Sequence, residues 1–206
     1  MSTRTPLRAP LALLLASCAV ASGCAPSVAR DPVARTSIAT GSPPPAPGPP
    51  VPDTAPTPFT AAQIRAASGE GRTIIMLDES PGKPPGKHRM RFLAVDDLRA
   101  TIASDVLGDD GKPVGEPVTR VATWGELQQH GAYPRSTTTI TDAVAEIPMG
   151  SYPCKRYTVI ERAPEGEKRT IACFANALPG PPVELSVEIG GALVRSLTML
   201  SNDAGG

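Results

Sequence analysis

Between Ser42 and Pro58 nine of seventeen residues are proline, and nothing larger than Val51 is available for burial. Proline removes an amide donor and fixes φ, so this stretch reads as an extended, polyproline-like spacer that neither a helix nor a sheet can absorb. It therefore divides the chain, and the folding information must lie after it. Three parts are expected: a leader over residues 1–23, a disordered proline-rich tether over 24–58 and a single β-rich domain over 59–206. With Ala25 to Gly41 included, the tether could reach on the order of 100 Å at ~3.1 Å per residue. A proline-rich ligand for a partner is the sharper reading of this run, and a plain spacer the simpler one.

The leader has Arg4 and Arg8, a short apolar run from Leu11 to Val20, and then Ala21-Ser22-Gly23-Cys24. A positive start and a short apolar core make a secretory signal peptide, too short to stay in a bilayer as an anchor. The last four of these residues resemble the bacterial lipobox, which implies lipid attachment at Cys24 and cleavage just before it. Cys18 within Leu15-Ala-Ser-Cys18 is the alternative, but cleavage there would leave a shorter apolar run. Several acyl chains at ~0.8 kcal/mol per buried methylene would hold the protein on a membrane persistently. Ala25 after the cysteine implies sorting to the outer membrane, facing the periplasm or the cell surface.

Four arginines and two aspartates precede Phe59, which leaves 16 basic and 18 acidic residues in the domain out of 20 of each in the whole chain. Nucleic-acid binding needs a basic excess to displace counterions, so that class is set aside.

From Phe59 onward the pattern is of short strands punctuated by turns. Thr60 with Gln63, and Thr123 with Glu126, are capping boxes that start two short helices, with Phe59 placed to staple onto Ile64. Alternation marks strands over about 72–79, 88–95, 98–107, 116–122 and 136–147. Asp96-Asp97 and Gly108-Asp-Asp-Gly-Lys are turn sequences, and antiparallel connections follow from them. Val183, Leu185, Val187 and Ile189 alternate into Gly190-Gly191, and a last strand runs through Leu193, Leu197 and Met199. The fold class is mainly β, an antiparallel meander of about nine strands forming a curved sheet or half-barrel with two short helices.

The centre of this domain is a long hairpin from Gly150 to Phe174, turning within Ala163-Pro-Glu-Gly-Glu. If it turns around Ala163 and Pro164, Cys154 stands opposite Cys173, and an exported chain would oxidise them to a disulfide. A one-residue shift of the turn makes the pair diagonal instead. Two free buried thiols are the alternative. His88 and His130 lie in no metal-binding spacing, and neither a nucleophile elbow nor a phosphate loop is present. His130 ends the second helix, where the dipole favours it, and a hydrolytic set with a nearby hydroxyl is the weaker reading. No catalytic residue, cofactor or metal is assigned.

Three segments carry a resemblance: Trp124-Gly-Glu-Leu127-Gln-Gln-His130, Gly150-Ser-Tyr-Pro-Cys154-Lys-Arg-Tyr157, and Phe174-Ala-Asn-Ala-Leu178-Pro-Gly-Pro-Pro-Val183. Together they resemble a family of uncharacterised bacterial envelope lipoproteins with a W-x-x-L-x-x-H helix, a G-x-(F/Y)-x-C-x-x-Y strand and an F-A-x-x-L-P-G-P-P-V segment. More loosely, the architecture is similar to the half-barrel carriers of lipoproteins. The resemblance supplies no activity; the expectation, from a sheet with one apolar face and no catalytic motif, is a membrane-anchored, non-enzymatic binding module for an apolar ligand or an envelope protein. The alternative is a structural component of an envelope complex.

Overall fold

A computed structural model describes residues 53–205. The leader, Cys18, Cys24 and the tether up to residue 52 lie outside the described residues. Two short helices, α1 (Ala61–Ala66) and α2 (Trp124–Gln129), accompany nine strands. The strands are β1 (Thr73–Glu79), β2 (Gly86–Val95), β3 (Arg99–Leu107), β4 (Val118–Thr123), β5 (Thr138–Ile147), β6 (Gly150–Ala163), β7 (Gly166–Ala175), β8 (Glu184–Ile189) and β9 (Ala192–Asp203).

All nine strands join one antiparallel sheet in the order β4-β3-β2-β1-β9-β8-β7-β6-β5. It consists of two meanders, β1–β4 and β5–β9, stitched together where the first strand pairs with the last. Consecutive strands pair because tight turns return the chain directly. The β1–β9 seam instead joins residues more than a hundred positions apart, such as Met76 and Met199. The two edge strands, β4 and β5, are consecutive in sequence, so the chain must cross the molecule between them. It does so through α2 and the 3-10 turn Arg135–Thr137. Although β8, β7 and β6 separate them in the sheet, β5 comes within contact of β9, which is the curl of a half-barrel.

Both capping boxes form. Thr60 Oγ1 accepts from Gln63 N, and Thr123 Oγ1 accepts from Glu126 N, each at 3.2 Å, with the reciprocal side-chain acceptors in place. Gln128 ties the helices together: its Oε1 accepts from Ala61 N at 2.8 Å and its Nε2 donates to Thr57 Oγ1 at 3.0 Å. An otherwise unpaired amide at the start of α1 is thereby satisfied from the other helix. Gly131 follows α2 closely, where a Cβ would come within 2.8 Å of the Pro58 ring. Trp124 is buried and donates from Nε1 to Asp96 O at 2.9 Å, which docks α2 on the β2–β3 turn.

Residues 53–58, read from sequence as the end of the tether, are built into the domain. Thr54 bridges Pro134, Ala55 N donates to Tyr133 O at 2.8 Å, and Pro56 O accepts from the Tyr157 hydroxyl at 2.8 Å. The prolines that deny this piece a strand leave its carbonyls free to accept, and the neighbouring tyrosine uses one of them.

Candidate functional site

One face of the sheet, the helix face, lies beneath α1 and α2. Strand register puts Tyr157, Ala172, Leu185 and Leu197 on this face in one row across β6, β7, β8 and β9. The Tyr157 ring stands 5.3 Å from Phe174 and 5.8 Å from Tyr133, and Phe174 stands 6.3 Å from Phe59. These edge-on and tilted contacts form an aromatic chain from Phe59, just before α1, to the hairpin. Burial pushes both tyrosine hydroxyls up from their usual values, so they remain neutral donors.

Packing under the helices is incomplete. A cavity of about 250 Å³ remains, walled by Phe59, Met90, Phe92, Phe174, Leu185 and Leu197 among others. Its remaining wall comes from Leu127 on α2 and from the corner Gly180-Pro181-Pro182. The rim carries Arg120, Gln128 and His130. Gln128 is committed to the helix pair, whereas Arg120 is exposed on the edge strand β4 and joins no ion pair among the described residues.

The corner is fixed by a residue that sequence reasoning passed over as the start of a strand. Arg72 is 2% exposed and forms no ion pair among the described residues. Its Nε donates to Asn202 Oδ1 at 3.0 Å, and its Nη1 donates to Ser68 Oγ at 2.9 Å and Pro179 O at 3.0 Å. The guanidinium carbon lies 5.8 Å from the centroid of the Phe92 ring, a cation–π contact. Burial lowers the Arg72 pKa from the usual guanidinium value. Gly180, at φ 143°, lies close beside it: a Cβ there would sit 3.5 Å from Nη2. Arg72 thus holds the proline corner that completes the cavity wall. A single arginine among apolar residues carries no local pattern that could have identified it.

His130 caps the carboxyl end of α2, is exposed, and has no hydrogen-bonded acid or hydroxyl among the described residues. His88 lies instead on β2, 3.4 Å from Asp78, which Arg195 also grips at 3.0 and 2.7 Å. The Arg195 hydrogen bonds are the main cause holding the Asp78 carboxyl below its usual range. Among the described residues no group of three or more His, Cys, Asp or Glu could hold a metal ion. No helix among them is long and apolar enough to cross a membrane.

The expected opposition of Cys154 and Cys173 is corrected by the register. Ala163 pairs with Gly166, so the turn is centred on Pro164 and Glu165, Cys154 faces Ala175, and Cys173 faces Arg156. Proline pre-sets φ for the first central position of a two-residue turn, and that moves the centre one residue along. The cysteines are therefore diagonal neighbours on the back face of the sheet, both buried and both free thiols. Burial first, and then Cys173, push the Cys154 thiol up to about 12.

The three segments that carry the family resemblance meet around the cavity. The helix segment supplies Leu127 and His130, the proline segment supplies Phe174 and Gly180 to Pro182, and the strand segment sets Tyr157 against Phe174. No family model matches the chain, and no curated protein matches it. Among solved structures the chain is similar to a protein assigned as exported, with a YmcC-like fold, from Bacteroides fragilis. The identity is 9%, the match covers 66% of this chain and 97% of that one, and the TM-score is 0.45. It is also similar to a protein assigned as a lipoprotein from Parabacteroides distasonis, at 8% identity, with 66% and 96% covered and a TM-score of 0.44. A third similar structure is MucB, at 11% identity, with 70% of this chain and 57% of that one covered and a TM-score of 0.46.

Proposed function

We propose that this chain is a lipid-anchored protein of the bacterial envelope whose β domain is a non-enzymatic module that takes an apolar ligand beneath the helix pair. The observation that carries the ligand is the cavity. Apolar walls with a few polar groups at the rim are the usual composition of a small-molecule site. At about 250 Å³ it falls just below the roughly 300 to 1,000 Å³ of sites that enclose drug-sized ligands, which suits one chain or small ring. The leader and lipobox support attachment at Cys24, with Cys18 the alternative, and Ala25 supports the outer membrane. The tether would set the domain at a distance from that surface.

Native mass spectrometry of the tag-purified full chain tests the ligand. An apolar adduct, lost when Leu185→Trp fills the cavity, is the expected result; clean spectra together with no uptake of a fluorescent fatty acid would count against the module. Metabolic labelling with a fatty-acid analogue tests the anchor, and label that persists in both Cys24→Ala and Cys18→Ala single variants would refute both assignments.

A second reading, a partner within an envelope assembly, is favoured by the β4 edge. Val118 is 71% exposed and Val121 58% exposed on this short strand, and Leu98 and Val114 are exposed nearby. Exposed edge backbone with apolar side chains is a pairing surface for another chain. Crosslinked partners that survive Val118→Lys and Val121→Lys together would place the contact elsewhere.

A further inference from the structure

The back face of the hairpin carries chemistry that ligand binding leaves unused. Register places Arg156, Cys173, Glu184 and Thr198 in one row across β6, β7, β8 and β9. They line an open groove of about 350 Å³ with Ile171, Ser186 and Ser196, and with Leu185 and Leu197, which also wall the cavity. Cys173 is only 2% exposed, yet it belongs to the floor of this groove; Cys154 is 1% exposed and does not line it. Burial and then Cys173 push the Cys154 thiol up, with Arg156 acting on it in the opposite sense, and register sets Cys173 between Arg156 and Glu184.

We propose that Cys173 and Cys154 form a thiol–disulfide exchange site, with Cys173 engaging a disulfide-bearing partner from the groove and Cys154 resolving the product. The division of labour follows from placement. The thiolate is the nucleophile in exchange, and Cys173 has an approach path from the groove, where it stands between Arg156 and Glu184. Cys154 has no such path. In the first step Cys173 loses its proton to solvent and its thiolate attacks one sulfur of the incoming disulfide. A mixed disulfide forms and the partner's other sulfur leaves as a thiolate. Cys154 then loses its proton and attacks the Cys173 sulfur, forming the Cys154–Cys173 bond and expelling the partner's second thiolate. Two electrons pass to the incoming disulfide, which becomes two thiols.

Diagonal cross-strand positions stand ~7 to 8 Å apart at Cα, beyond the common disulfide range of ~4.4 to 6.8 Å. Closing the bond requires the strands to adjust, and a strained bond is a reversible one. The site lies back to back with the cavity, since Phe174, in its wall, directly follows Cys173.

The test is exposure of the reduced full chain to glutathione disulfide, with peptide mapping under non-reducing conditions and circular dichroism to verify folding. The wild type is expected to form the Cys154–Cys173 bond. Cys154→Ser should trap glutathione on Cys173, and Cys173→Ser should leave Cys154 unmodified until urea is added. Equal reactivity of the two single-cysteine variants would overturn the proposal. So would a folded protein in which neither thiol reacts.

Discussion

The two faces of the sheet are buried by different means. On the helix face, large side chains do the work: the aromatic chain from Tyr133 through Tyr157 and Phe174 to Phe59 closes against α1 and leaves a gap beside it. On the back face, small residues and satisfied charges replace them. Ala145, Cys154, Cys173 and Ala175 are all at most 2% exposed, and none is large. Further along, the Asp105 carboxylate is buried, with Arg89 at 3.0 and 2.9 Å and Arg91 at 3.3 Å. The difference teaches where room for a ligand arises. Large rings meeting edge to face leave a cavity with apolar walls, whereas the small side chains of the back face leave an open groove edged by charged and hydroxyl groups.

The largest effect is expected from breaking the aromatic chain. Phe174→Ala should cost about 3 to 5 kcal/mol, measured by urea unfolding, because it removes a buried ring shared by Tyr157 and Phe59. A loss below about 1 kcal/mol would mean that the neighbours collapse into the vacated space and the rings are not what holds this face.

On the back face, Asp105→Asn should cost about 2 to 3 kcal/mol, since it leaves two arginines facing a neutral group, discounted because both guanidiniums are partly exposed. Its pH dependence has a definite sign. The Arg89 hydrogen bonds are the main cause depressing the Asp105 pKa. A depressed carboxyl stabilises the fold fully above the unfolded value of about 3.9, and that contribution is lost as pH falls through the lower folded value. Acid denaturation of Asp105→Asn should therefore lack part of the wild-type decline below pH of about 4. Parallel acid limbs for the two proteins would show that another carboxylate governs it, Asp78 being the next candidate.

The smallest effect on stability is expected at Arg156. Its side chain is exposed, so Arg156→Gln should change unfolding by less than about 0.5 kcal/mol. A large loss of stability there would make Arg156 a structural brace.

Local chemistry was legible in the chain. Thr60 with Gln63 and Thr123 with Glu126 announce their helices because a capping box closes within four residues. The strands followed from alternation and turn residues, and the number nine from their count. The hairpin register failed by one residue of turn position, because period and composition locate a turn only approximately and Pro164 decided its centre. The β1–β9 seam, the docking of residues 53–58, the Arg72 anchor and the cavity were not legible. Each depends on groups far apart in sequence, such as Arg72 and Pro179, whose meeting is set by how the two meanders close on each other. By itself the sequence determined an antiparallel β domain with two capped helices, since these rest on turn chemistry and short-range periodicity. Tertiary structure alone decided that two thiols lie diagonal beside an arginine and that a curved aromatic face stays incompletely filled. Contacts of that kind are fixed by strand pairing and packing, which no window of sequence contains.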